Sequence, residues 1–362
     1  MKKFTQTTRR GFLQFASFGL VLPFAANVYS SEHEEEWRFG IIPDTQWGHE
    51  LKAPFHGTAI HIIDAINIEM IRQNVDFVIQ VGDLVETPSA VAFQTRADRN
   101  KSLLNAGIKF YPLRGNHDSF VYPMPDDRYN FKPDFITQYK TAFPNLPGTK
   151  GNNGNSPNLP NADGMTYSFT HKNGKFILLD TFPLVNNGTD KGKAYTVGDY
   201  LSWINSQLSK PDHQFAIVFA HKNLLGQNHK DNLFSDDETN QDSFPEIQNE
   251  FFKCLQNNNV KYFICGHDHM YHRSQIKSPN KNAELQQIIC GSAAHKFYLP
   301  EPPFLERETT IVKELNRVGF MIASVNNNQI KLTYHSTESF GKSPATPKWE
   351  THDSCGYEFK KR

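Results

Sequence analysis

The stretch Phe263-Ile264-Cys265-Gly266-His267-Asp268-His269 constrains this chain more than any other. Val260 to Cys265 is an apolar run of strand length, which reads as a buried β-strand. A buried strand needs no polar tip, yet this one stops at a glycine and presents two histidines two residues apart. The glycine permits a tight turn, and Asp268 between the imidazoles is placed to orient a neighbour. Imidazoles gathered at a strand end suit a transition metal. The alternative is a surface loop with two solvated histidines, and the other strand ends of the chain decide against it.

Trp37 to Pro43 reads as a first strand ending in Asp44-Thr45-Gln46, followed by a helix with Ala59, Ile63, Ile66 and Met70 on one face. A second strand, Asp76 to Val81, ends in Gly82-Asp83. One helix is expected over Ala90 to Asn105, stopped by Gly107, and a third strand, Ile108 to Leu113, ends in Gly115-Asn116-His117-Asp118. This β-α-β-α-β order predicts an α/β fold, a sheet with helices packed against it.

An insertion, Ser119 to Asp163, then interrupts, with open loop expected over Gly151 to Asn161. It leaves directly from His117-Asp118, so it is expected over the site, where Phe120, Tyr122, Tyr129 and Phe131 offer a surface for stacking a nucleoside. A hairpin across Asn173-Gly174 and a helix near Gly198 to Ser209 precede the strand Phe215 to Ala220, which ends in His221-Lys222-Asn223. A polar loop, Gly226 to Ser243, and a helix near Pro245 to Gln256 lead to the opening strand. Leu285 to Cys290 is a further strand, and Phe320 to Val325 and Ile330 to His335 form a last hairpin. With no internal repeat and no linker between two cores, one domain is expected over residues 36–340, with a tail, 341–362, of little signal.

Five strand ends therefore offer Asp44 with Gln46, Asp83, Asn116 with His117, His221, and His267 with His269. In open α/β sheets ligands bind outside the carboxyl ends of strands, so these groups can converge. They are carboxylates, amides and imidazoles without thiolate, a donor set for Mn, Fe or Zn. A carboxylate shared by two metals can bridge them, and such a pair can activate a water and clamp a phosphoryl group.

In this order, Asp-x-Gln, Gly-Asp, Gly-Asn-His-Asp, His and Gly-His-x-His, the motifs resemble the calcineurin-like metallophosphoesterase family, over roughly Trp37 to His335. The resemblance implies an α/β/β/α sandwich of two sheets and a dinuclear centre of divalent or mixed-valence ions. Carried over by position, Asp44, Asp83 and His269 hold one metal, while Asp83, Asn116, His221 and His267 hold the other, with Asp83 bridging. His117 becomes a non-ligand that stabilises the transition state or protonates the leaving group, oriented by Asp118. Gln46 stands where the family usually has histidine, a weaker neutral donor. His267-Asp268-His269-Met270-Tyr271-His272-Arg273 resembles the purple acid phosphatase branch, but the position of that branch's tyrosine ligand is Glu86 here, so no iron-tyrosinate colour is expected and Glu86 is a rival ligand. His272 and His295 match no ligand position and are read as structural.

The implied activity is hydrolysis of a phosphoric ester by a metal-activated water in line with the leaving group, on a phosphorylated small molecule or a phosphoprotein. A monoesterase is favoured over a diesterase or a phosphoprotein phosphatase. The competing class is a non-catalytic metal- or phosphate-binding protein, which needs neither His117 nor Asp118. With 38 basic and 38 acidic residues the formal charge is zero, so nothing demands nucleic acid or an anionic membrane.

Thr8-Arg9-Arg10-Gly11-Phe12-Leu13-Gln14 precedes the apolar run Phe15 to Ala26, which is short for a membrane span and carries Pro23. Residues 1–30 resemble a twin-arginine export signal, used by bacterial proteins that cross the membrane folded, so a periplasmic or secreted location is expected. Their removal takes away Lys2, Lys3, Arg9 and Arg10 and no acid, leaving 34 basic and 38 acidic residues, a net charge of −4. Export permits disulfides, but the four cysteines, Cys254, Cys265, Cys290 and Cys355, have no zinc-knuckle spacing and fix no pairing.

Overall fold

The computed structural model describes residues 36–48, 58–120, 132, 134–185, 192–338 and 347–359. The expected export signal, Tyr122, Tyr129 and Phe131 lie outside them. The chain begins β1 (Trp37–Ile42), α1 (Thr58–Arg72), β2 (Phe77–Val81), α2 (Ala90–Asp98), α3 (Lys101–Asn105), β3 (Lys109–Leu113) and α4 (Asp134–Ala142). It continues with β4 (Tyr167–His171), β5 (Gly174–Leu179), β6 (Pro183–Val185), β7 (Lys193–Ala194), α5 (Val197–Leu208), β8 (Phe215–Ala220), α6 (Pro245–Asn257) and β9 (Tyr262–Cys265). The last strands are β10 (Tyr271–Lys277), β11 (Glu284–Cys290), β12 (Glu308–Glu314), β13 (Val318–Val325), β14 (Gln329–Thr337) and β15 (Glu350–Glu358).

Two large sheets result, one ordered β15-β14-β13-β1-β2-β3 and the other β12-β10-β11-β9-β8-β5-β4, beside a small pair of β6 and β7. Strand alternation divides the core. In β1, Phe39 and Ile41 face the second sheet, while Ile42 faces a separate cluster with Ile62, Ile66 and Met70 of α1. Gly40 belongs to that outer face, where an added Cβ would lie 2.2 Å from the Met70 sulfur. Between the sheets aromatic rings interlock, with Phe176 5.1 Å from both Phe39 and Phe77. Each such buried ring contributes about 1.5–3 kcal/mol. On the far side of the second sheet α6 seats Phe251 against Phe263 of β9. The layering is α/β/β/α, as the motifs implied.

Ion pairs join the sheets. Arg114, just after β3, donates to both oxygens of Asp180, just after β5, at 2.7 and 3.1 Å, with both side chains fully buried. Arg273 of β10 donates to both oxygens of Asp353 of β15, at 2.7 and 3.0 Å.

Several expectations differ from the structure. The single helix over Ala90 to Asn105 is two, α2 and α3, because Asn67 Nδ2 donates to the Arg99 carbonyl at 2.9 Å and draws it out of a helical ladder. The insertion carries α4, which packs on α2 through Tyr139 and Phe93 rather than over the strand ends. Residues 341–362, which carried little signal, supply β15 at the edge of the first sheet. Strands β10 and β12 had also escaped the sequence pattern.

Candidate metal centre

The loops leaving β1 and β2 are zipped together. The Thr45 and Gln46 N–H groups donate to the Asp83 carbonyl at 3.1 and 2.8 Å, and Trp47 N–H donates to Leu84 O at 3.0 Å. Asp44 is drawn to the second sheet, accepting from His267 N–H at Oδ1, 3.0 Å. Asp83 accepts at Oδ1 from His117 N–H, 2.9 Å, and at Oδ2 from Gln46 Nε2, 3.0 Å. Glycines make this closeness possible, since a Cβ at Gly115 would lie 2.0 Å from Asp83 Oδ1 and one at Gly266 2.4 Å from Asp44 Oδ2. Four residues of the cluster, Gln46, Asp83, His267 and His269, have positive φ without being glycine. Such backbone costs about 1–3 kcal/mol per residue and gathers where function over-determines the structure.

All seven sequence-predicted ligands come together. One ligand atom each from Asp44, Asp83 and His221 lies within 4.8 Å of the others. His221 Nε2 is 2.9 Å from Asn116 Oδ1 and 3.4 Å from Asp83 Oδ1, and His269 Nε2 is 3.4 Å from Asp44 Oδ1. The His221 and His267 rings lie 5.0 Å apart.

The imidazoles are preset for coordination. His221 Nδ1 meets the Val81 carbonyl at 2.9 Å and His269 Nδ1 the Lys296 carbonyl at 3.1 Å. A carbonyl only accepts, so each Nδ1 carries the proton and each Nε2 keeps its lone pair. His267 is held at the other nitrogen, with Nε2 3.0 Å from Asp231 Oδ1, which leaves Nδ1 as its donor atom. Asp231, in a loop without periodicity, had no signal in the sequence.

The electrostatics ask for a cation. Burial, with the charge of Asp83, pushes the Asp44 carboxyl up to about 7 against the pull of His221. Burial works on Asp83 the same way, but His221, His117, His269 and His267 hold it well below the usual carboxylate range. Burial drives His267 down to about 4 and His269 well down, while Asp83 and Asp44 outweigh burial and raise His221. Asp44 Oδ2 and Gln46 Oε1 are buried without a hydrogen-bond partner among the described residues. Buried oxygens in that state are costly unless something positive meets them. These donors fit a metal pair of the Mn, Fe or Zn type.

One expected contact differs. Asp118 does not orient His117, because its oxygens accept from Leu84, Val85 and Gly115 N–H groups at 3.1, 3.1 and 2.8 Å and so pin the loops together. Burial and the nearby Asp83 push its carboxyl up to about 7. It is the Glu86 carbonyl that meets His117 Nδ1, at 2.9 Å. The Glu86 carboxylate lies 3.4 Å from the same nitrogen, beside His117. Asp268 does orient a neighbour, with Oδ1 2.9 Å from His229 Nδ1, and its oxygens also accept from Gln227, Asn228 and His229 N–H and from Asn223 Nδ2. His272 is buried beside Thr310, 3.1 Å from Nε2 to Oγ1, and His295 packs near Phe297, 5.6 Å between rings.

A cavity of about 360 Å³ opens over the cluster, lined in part by Asn116, His117, Phe120, Lys222, Lys296 and Tyr298. Phe120 is the part of the aromatic insertion that reaches it among the described residues.

Two packed sheets with a buried carboxylate–imidazole cluster at their strand ends define a metallophosphoesterase architecture. The family model of the calcineurin-like phosphoesterases matches residues 38–271, and the chain belongs to that family. No curated protein matches the sequence. Among solved structures, the purple acid phosphatase from yellow lupin (Lupinus luteus) seeds is similar at TM-score 0.58 and 15% identity, covering 89% of this chain and 54% of that one. This chain thus spans about half the length of the lupin structure. PhoD is similar at TM-score 0.58 and 13% identity, covering 90% of this chain and 70% of that one. A dimetal phosphatase from Danio rerio is similar at TM-score 0.50 and 14% identity, covering 88% and 99%. At these identities the likeness is one of fold.

Proposed function

We propose that this protein is a metal-dependent phosphoric-ester hydrolase acting on phosphorylated small molecules or phosphoproteins. The observation that carries the reading is the pair of unpartnered buried oxygens, Asp44 Oδ2 and Gln46 Oε1, inside a cluster whose imidazole lone pairs are already directed by backbone carbonyls. Asp44, Gln46, Asp83 and His269 would hold one cation, and Asp83, Asn116, His221 and His267 the other. Two such ions supply Lewis acidity to the phosphoryl oxygens and to an attacking water. Gln46 is taken as the ligand, with Glu86, whose Oε2 is also buried and lies 3.4 Å from His117 Nδ1, as the rival donor. His117, as an imidazolium whose Nδ1–H meets Glu86 O, gives its second proton, on Nε2, to the departing oxygen. Asp118 serves by fixing the loops that carry Asp83 and Asn116.

Residues 1–30 are a twin-arginine signal that delivers the folded protein to the periplasm or beyond. No helix among the described residues is long and apolar enough to cross a membrane. The test is a panel of p-nitrophenyl mono- and diesters with added Mn at pH 5 to 8. Metal-dependent turnover of an ester supports the reading, and metal binding without turnover of any ester favours a binding protein.

A further inference from the structure

Five basic side chains line the cavity over the cluster, and four of them are met by a carboxylate. Lys222 Nζ lies 2.7 Å from Asp231 Oδ2 and also pairs with Asp236. His229 meets Asp268 at 2.9 Å, His267 meets Asp231 at 3.0 Å, and His117 meets Glu86 at 3.4 Å. Lys296 is the fifth, and it makes no ion pair among the described residues.

Its position is fixed from below. The Lys296 carbonyl accepts from His269 Nδ1 at 3.1 Å and from Ser292 Oγ at 2.9 Å, so its backbone is tied to a ligand of the cluster. Its ammonium rests 5.5 Å from the centroid of the Tyr298 ring. Tyr298 in turn stands edge-on to His269 and His229, at 5.1 and 4.8 Å between rings. The Tyr298 ring attracts the cation and its hydroxyl is a hydrogen-bond partner for the ammonium, which has three donors and so keeps others for a ligand in the cavity.

We propose that Lys296 binds a peripheral phosphoryl oxygen and sorts phosphomonoesters from phosphodiesters. The inference rests on the hydrolase reading above. A monoester dianion brings three non-bridging oxygens and two charges, whereas a diester brings two such oxygens, one charge and a second organic group. With two oxygens engaged at the cluster, the third of a monoester is the one left for a cation on the cavity wall. Coulomb attraction to a fixed ammonium also grows with the ligand's charge. Lys296 forms no covalent bond and moves no proton in this role. Lys222, already spent on Asp231 and Asp236, does not compete for it.

The test compares wild type, Lys296→Met and Lys296→Arg, all loaded with Mn, on p-nitrophenyl phosphate and bis(p-nitrophenyl) phosphate. Inhibition by inorganic phosphate is measured alongside. Lys296→Met is expected to lower kcat/KM for the monoester about 10- to 100-fold, chiefly through KM, as loss of one charged hydrogen bond does. The diester falls by a smaller factor, and phosphate inhibition weakens in step with the monoester. Lys296→Arg restores most of the monoester preference. An active wild type whose monoester-to-diester ratio does not move in Lys296→Met, or whose phosphate inhibition is unchanged, overturns the assignment of Lys296. A wild type inactive on both esters contradicts the hydrolase reading itself. Where Lys296→Met fails to fold, Lys296→Gln carries the same expectations.

Discussion

At the scale of single residues, Gln46 shows how a substitution within a motif is accommodated. Its Nε2 donates to Asp83 Oδ2 at 3.0 Å, which leaves Oε1 buried and turned to no protein donor. An amide oxygen is a poorer donor than imidazole, so a cation held there is expected to be the more labile of the two. Gln46→His is expected to slow loss of that cation to a mild chelator, and Gln46→Ala to speed it. Glu86→Gln should leave its affinity nearly unchanged, and a large loss there would exchange the two roles. His117 is different in kind, since its Nδ1 is spent on the Glu86 carbonyl. His117→Asn is expected to cut turnover by about 10²–10⁴-fold with metal content kept, as removal of a general acid does. Metal loss on that substitution, read by elemental analysis, would make His117 a ligand instead.

Among the elements, legibility followed apolar runs, so β10, largely buried but polar in sequence, was missed. Strands β2, β8 and β9 are buried along their whole length, and their apolar runs ending in polar tips were plain in the sequence. Strands β12 and β15 are the outer edges of their sheets, and most of their residues keep some exposure, so they read as polar and gave no pattern. Candidate ligands were legible because they end strands. Asp231 and Lys296 were not, because loops that return to a site carry no period. Strand β15 nevertheless matters, since Asp353, 8% exposed, accepts from Arg273 and from the Tyr271 hydroxyl across the sheets. Burial opposes its charge, but these partners win and hold its carboxyl below the ordinary value. A depressed folded-state value gives stability that is present above the unfolded value of about 3.9 and is lost as pH falls through the folded one. Asp353→Asn is therefore expected to cost about 1–3 kcal/mol at pH 7. The gap in Tm between wild type and variant should narrow below about pH 4. A gap that is constant from pH 7 to pH 3 would show that the charge of Asp353 contributes nothing.

For the whole molecule, the facing sheets bring the ends of β1, β2 and β3 against those of β8 and β9, and that meeting assembles the seven donors. A protein that must close such a cluster before it holds metal benefits from folding first and crossing the membrane afterwards. Replacing Arg9 and Arg10 with lysine is accordingly expected to retain it in the cytoplasm of a bacterium that has the twin-arginine pathway. Normal export from a strain without that pathway would identify a general secretory signal. The catalytic reading depends on Asp83 serving two cations at once. The direct measurement is the metal-to-protein ratio of wild type and Asp83→Asn by elemental analysis, with ester turnover read on the same samples. Two metals per chain in wild type are expected, with loss of metal and no detectable turnover in Asp83→Asn. A variant that keeps near wild-type turnover at saturating metal would contradict the shared carboxylate and the two-metal centre built on it.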